Sequence, residues 1–188
     1  MNCIAIVSDA RPMLDSTKLN LLVNDFDQII PQAPTEIVDA VIVNGDMDTL
    51  ALTDSAYNQS TSKNIPYMPV IGNHELNNTA DLAFAKNKFI NSTLTLNPGP
   101  SGSSQTNFSF DIGEIHITCL NAYWDGNNTG VCEWYVPAGG VNTDDSCFKY
   151  SDGGGYIPQS LLDWLDNDLR TTTKPWKVVI CHVPLYPF

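Results

Sequence analysis

The chain has 188 residues, 43% of them hydrophobic, which suits one domain with a sizeable core and excludes a wholly disordered polypeptide. Its net charge of −12, with arginine only at Arg11 and Arg170 and its lysines scattered, disfavours a nucleic-acid-binding face. No apolar run approaches the roughly 18–20 residues that span a bilayer, and Met1 to Val7 lack the basic start and cleavage site of a signal peptide.

Residues 2–8 are apolar almost throughout and read as a strand buried on both faces. Leu19, Leu22, Val23, Phe26, Ile29 and Ile30 recur at helical spacing, with Asp15 or Ser16 as the cap and Pro31 as the stop. Ile37 to Val43 is a second apolar strand, running into Gly45-Asp46. Tyr67 to Ile71 is a third, running into Gly72-Asn73-His74-Glu75, with a short helix expected near Ala80 to Ile90. Asn107 to Ile112 and Ile115 to Leu120 then read as an antiparallel pair turning at Gly113. A Gly-rich loop insertion covers 124–155. Pro158 opens a helix with Leu161, Leu162, Leu165 and Leu169 on one face, and a last strand, Trp176 to Cys181, delivers His182. Strand–helix units first and mixed strands later predict a layered α/β domain over 1–188.

Cys3, Cys119 and Cys181 lie in apolar runs as small core residues, while Cys132 and Cys147 flank the long loop, paired in a disulfide or free. Glycosylation sequons begin at Asn58, Asn77, Asn91, Asn107 and Asn127 and lean toward a secreted or extracytoplasmic location. His116 falls inside a strand and is expected to be a packed structural histidine. The aromatics Tyr123, Trp124, Trp134 and Tyr135 border the loop, lining a substrate mouth or packing the loop down.

Polar residues gather where ligands bind in open α/β sheets, just past the C-terminal ends of strands. They are Asp9, Asp46, Asn73-His74 and His182. Carboxylate, amide and imidazole donors converging from four strand ends suit divalent metals such as Mn, Fe or Zn. In so acidic a chain, bound metal would have to supply the positive charge that phosphate needs.

Ser8-Asp9, Asn44-Gly45-Asp46, Gly72-Asn73-His74-Glu75 and Cys181-His182 resemble, in order and spacing, the first four motifs of the calcineurin-like metallophosphoesterases. Phe108 to Asp111 and His182 to Tyr186 are similar to the purple acid phosphatase branch. The resemblance covers essentially the whole chain. It implies a four-layer αββα sandwich, incomplete at the C-terminus because the family's fifth motif, Gly-His-x-His, is absent. It also implies two divalent or trivalent metal ions and hydrolysis of a small-molecule or protein phosphomonoester or diester by a metal-bridging hydroxide. Asp46 would bridge the metals, Asp9 would bind the first, Asn73 and His182 the second, and His74 would protonate the leaving group. Glu75 would orient the loop.

Two features depart from that pattern. The histidine that usually follows the first-motif Asp is Arg11 here, and the tyrosine that replaces it in purple acid phosphatases is Thr49. Arg11 either grips a substrate phosphate in a bidentate fork or forms a structural ion pair. The rival reading is a non-catalytic member of the same fold, acting as an extracellular binding or structural module.

Overall fold

The structure, a computed structural model, describes residues 2–8, 16–29, 37–47, 49–77, 79–124 and 157–183. Three strands, β1 (Asn2–Ser8), β2 (Ile37–Asn44) and β3 (Tyr67–Val70), form a parallel sheet in the order β1-β2-β3. Parallel pairing needs crossovers, and the segments between these strands contain α1 (Ser16–Asp27) and α2 (Leu50–Gln59). Ser8 pairs with Asn44 and Asn44 with Val70, so all three strands end level.

A second sheet carries β4 (Asn97–Pro98), β5 (Phe108–Ile112), β6 (Ile115–Leu120) and β7 (Trp176–Cys181) in that order. The β5–β6 pair is antiparallel and turns at Gly113 with φ of 53°, while β6 and β7 run parallel. Helix α3 (Thr79–Ile90) follows β3, and α4 (Gln159–Thr171) precedes β7.

Side-chain alternation along β2 explains the layering. Val41 and Val43 join a core with Leu22 and Phe26 of α1 and Leu50, Ala56 and Tyr57 of α2. Ala40 and Ile42 point the other way, into a core with Phe108, Phe110, Ile117 and Ile180 of the second sheet. Leu161 of α4 covers that sheet's far side with Leu120 and Trp124. The layers therefore run helix, sheet, sheet, helix, as expected.

Four local expectations needed correction. Among the described residues β1 is an edge strand, and Ile6 is 54% exposed rather than buried. Helix α2 was not foreseen; its apolar spacing is weak, and its start is marked by Thr49, whose Oγ1 accepts from the Leu52 N–H at 3.3 Å. Leu162 is 43% exposed, because a neighbour of Leu161 sits about 100° round the helix from the buried stripe. The Asn107 sequon is closed to modification, since Asn107 has no exposed surface and its Oδ1 accepts from the Asn121 N–H. Cys119 is buried, and Cys3 and Cys181 are half-buried free thiols. The long loop with Cys132, Cys147, Trp134 and Tyr135 lies outside the described residues.

His116 is the packed strand histidine expected, and it organises a buried polar network. Its Nε2 lies 2.9 Å from Asp168 Oδ2 and its Nδ1 2.7 Å from Asp111 Oδ1. Asp168 also accepts from Ser109, Asn97 and Thr118 at 2.7, 3.0 and 2.8 Å. This ties α4 to β4, β5 and β6, at the base of a cleft of about 630 Å³. Burial pulls the His116 imidazole down, but hydrogen bonds and charge from Asp111 and Asp168 outweigh it and leave it above its ordinary 6.5. A histidine raised on folding stabilises fully below about 6.5 and loses that contribution as pH rises through the folded value. Thermal midpoints of the wild type and His116→Gln should therefore differ most in mild acid and converge in alkaline buffer. Asp168→Ala, which strands the buried donors of Ser109, His116 and Thr118 along with that of exposed Asn97, should cost about 3 kcal/mol in urea unfolding.

Candidate metal centre

Beyond β2 the chain turns through two consecutive left-handed residues, Gly45 at φ 72° and Asp46 at φ 54°. Asp46 is the only non-glycine residue with positive φ among the described residues. Aspartate tolerates this region better than most side chains, though it still costs about 1 kcal/mol. A carboxylate meets that cost from the next strand. Glu75, in the 3-10 turn His74–Asn77 after β3, has no exposed surface. Its Oε2 accepts from the N–H groups of Asp46 at 2.9 Å and Gly72 at 2.7 Å, and its Oε1 from that of Met47 at 2.6 Å. Burial raises the Glu75 carboxyl, the three backbone donors draw it back down, and the Asp46 charge adds a further upward push. The loop-orienting role expected for Glu75 is what this geometry performs.

The clamp leaves no room for side chains at two places. A Cβ on Gly45 would collide with the His182 ring and the Gly72 backbone. One on Gly72 would lie 2.6 Å from both the backbone nitrogen and Oδ1 of Asp46. The two strand-end loops and the residue after β7 are thus in direct contact.

His182 arrives from the second sheet. Its Nδ1 sits 3.0 Å from the Asn44 carbonyl oxygen and must be the protonated nitrogen there, since a carbonyl only accepts. Asn44 Nδ2 returns a bond to the Cys181 carbonyl at 3.4 Å, and Ser8 Oγ also donates to the Asn44 carbonyl, at 3.2 Å. With Nδ1 protonated, His182 turns Nε2 toward Asp46 Oδ1, 3.3 Å away. A bare imidazole lone pair facing a carboxylate oxygen is repulsive unless a proton or a cation stands between them. Tying the remote nitrogen to a carbonyl is also how proteins orient metal-binding histidines.

His74 closes the other side. Its backbone N–H donates to Asp46 Oδ1 at 3.2 Å, and its Nε2 lies 3.7 Å from Asp46 Oδ2. Asp46 is 3% exposed, whereas the His74 side chain keeps 30% of its surface in solvent. Asn73 is half-buried between Gly72 and His74.

Of the residues singled out by sequence, the structure brings Asp46, His74 and His182 together, with Asn73 beside them. Asp9 and Arg11 lie outside the described residues. Among the described residues there is no group of three or more His, Cys, Asp or Glu that could hold a metal ion. The pair that is present nonetheless suits a cation, one buried carboxylate facing one oriented imidazole, with Asn73 next in the chain to His74. Asn44 Oδ1 beside them is buried without a hydrogen-bond partner. Thr49, which stands at the position of the tyrosine in the purple acid phosphatase pattern, is occupied in capping α2. Tyr123, one of the aromatics bordering the long loop, packs against the core that holds Met47, the residue after Asp46.

The calcineurin-like phosphoesterase family profile matches residues 4–188. The chain belongs to that family. It is 30% identical over 131 residues to purple acid phosphatase 23 of Arabidopsis thaliana, covering 67% of this chain and 21% of that protein. It thus spans about a fifth of the length of that plant relative. A dimetal phosphatase from Danio rerio shares the fold at a TM-score of 0.59 and 16% identity, covering 98% of this chain and 70% of that one. No helix among the described residues is long and apolar enough to cross a membrane.

The Glu75 clamp makes its own test. Glu75→Gln keeps the shape but replaces one acceptor oxygen with a donor, which must face a buried N–H. We expect a loss of about 1–3 kcal/mol in urea unfolding, the cost of an unmade buried hydrogen bond.

Proposed function

We propose that this domain hydrolyses phosphate esters at a centre of two metal ions built around Asp46. The observation that carries the proposal is the pair of imidazoles converging on one buried carboxylate, His182 Nε2 at 3.3 Å and His74 Nε2 at 3.7 Å. Within that reading, Asp46 is the shared ligand, Asn73 and His182 complete one metal position, and Asp9 serves the other. Bound Fe, Mn or Zn would polarise the phosphoryl oxygens and lower the pKa of water for in-line attack.

The chain's own residues then divide the remaining work. His182 holds its ligating nitrogen toward Asp46 because Asn44 fixes the opposite one. His74 is tethered through its backbone to Asp46, yet its ring reaches solvent, where a departing alkoxide would need a proton. An imidazole suits that transfer because its ordinary pKa lies near neutral pH. Arg11 is proposed as the fork for a substrate phosphate. The substrate class is a small-molecule or protein phosphoester. Exposed Asn58 and Asn91, both in sequons, favour an extracytoplasmic setting.

Elemental analysis of the purified chain, with assays on an aryl phosphate monoester and a diester, tests the proposal. Asp46→Ala should lose bound metal and activity together. His74→Ala should keep its metal while turnover falls by roughly 10²–10⁴-fold. Turnover that survives chelation, or a wild-type chain that binds no metal, would overturn the reading.

A further inference from the structure

The five sequons carry the same signal in sequence, and the fold separates them. Three lie wholly among the described residues, beginning at Asn58, Asn91 and Asn107. N-linked modification makes two structural demands. The asparagine nitrogen and the hydroxyl two residues on must both be reachable, because the first is modified and the second is read with it. The folded chain must then leave the bulky sugar in solvent.

The triplet Asn107-Phe108-Ser109 meets neither demand. Asn107 and Ser109 have no exposed surface, Asn107 Oδ1 accepts from the Asn121 N–H at 2.7 Å, and Ser109 Oγ donates to Asp168 Oδ1 at 2.7 Å. In Asn58-Gln59-Ser60 the asparagine is exposed, but Ser60 closes helix α2 and is 2% exposed. Its Oγ donates to the Tyr57 carbonyl at 2.7 Å and accepts from the Ser62 N–H at 3.2 Å.

Asn91-Ser92-Thr93 is different. It lies in the turn just beyond α3, outside helix and strand, and both Asn91 and Thr93 are exposed. The turn is nevertheless fixed: the Asn91 N–H donates to the Asn87 carbonyl at 3.0 Å, and the Leu94 N–H donates to Ser92 Oγ at 3.1 Å. Ile90, the residue before it, is 64% exposed, so the space around the turn is open solvent. Asn91 Nδ2 donates to the Asn87 carbonyl at 3.0 Å and to Asn87 Oδ1 at 3.1 Å, both on the surface. A glycosylated amide keeps one hydrogen, so one of these bonds can survive the modification and no buried group loses its partner.

We infer that Asn91 is an N-glycosylation site. The reaction moves an oligosaccharide from a lipid-linked diphosphate donor. The bond from the sugar's anomeric carbon to the diphosphate oxygen breaks, the bond from that carbon to Asn91 Nδ2 forms, and the Nδ2 proton leaves with the lipid diphosphate. The inference rests on the extracytoplasmic setting proposed above, where such transfer takes place.

The test is to secrete the full chain from insect cells behind a cleavable signal sequence and to map the occupied asparagines by mass spectrometry. Enzymatic release of the sugar in heavy-oxygen water turns each occupied asparagine into a labelled aspartate. We expect label at Asn91 and none at Asn107. Thr93→Ala should abolish the label at Asn91, whereas Thr93→Ser, which keeps the hydroxyl, should retain it. Asn91→Gln should lose the sugar while the chain stays folded, since only surface bonds are involved. An unlabelled Asn91 in the secreted wild type overturns the inference, and label at Asn107 in folded protein overturns the structural sorting on which it rests. Natural protein found unmodified in the cytosol overturns it by the other route, removing the extracytoplasmic setting even where the secreted chain is labelled.

Discussion

Glu75 carries the constraint on which the centre depends. A carboxylate with no exposed surface is costly to bury, and here three backbone donors from two different loops meet it. One is Gly72, three residues before it in the chain, and the others are Asp46 and Met47, which follow β2. The same bonds therefore offset the burial of Glu75 and fix the left-handed conformation that aims the Asp46 side chain. Neither loop has this shape by itself. The clamp couples them, and the close approach at Gly45 and Gly72 follows from the coupling.

The second constraint comes from the layers. Because β2 buries both faces, its position is set by the helices on one side and the second sheet on the other. That second sheet carries His182, so the sheet-to-sheet packing of Ile42, Phe108 and Ile180 also determines where an imidazole meets Asp46. Asn44 and Cys181 exchange a hydrogen bond at the end of this interface, which holds the two sheets in register where alignment matters most. Asp168 does comparable work at a distance, tying the helix that precedes β7 to the sheet that β7 joins.

The main strands, and helices α1, α3 and α4, were legible because their apolar runs and turn residues agree with the tertiary answer. The gathering of Asp46, His74 and His182 was legible too, since each follows directly on an apolar strand. What the sequence could not convey depends on neighbours. Ile6 looks like any other residue of a buried strand, yet it is 54% exposed on a strand that has no partner on its outer side among the described residues. Helix α2 lacks a clear apolar stripe, because Thr53 is buried among its apolar residues and donates to the Met47 carbonyl. Asn107 satisfies a local glycosylation rule, yet it is a buried strut beneath the turn that carries Tyr123. Tyr123 itself has no spacing signal at all, since it meets the Asp46 loop only through the contact of two sheets.

Thr49 bears on how evenly two cations would be held. Its hydroxyl accepts from the Leu52 N–H as the N-cap of α2, and moving it toward Asp46 would uncap that helix. It is thus poorly placed to stand in for a ligating tyrosine. On the proposed assignment, one metal position has Asn73 and an oriented His182 in addition to the shared Asp46, while the other relies on Asp9. The His182 position is fixed by the Asn44 carbonyl at its Nδ1 and by the bond from Asn44 Nδ2 to the Cys181 carbonyl.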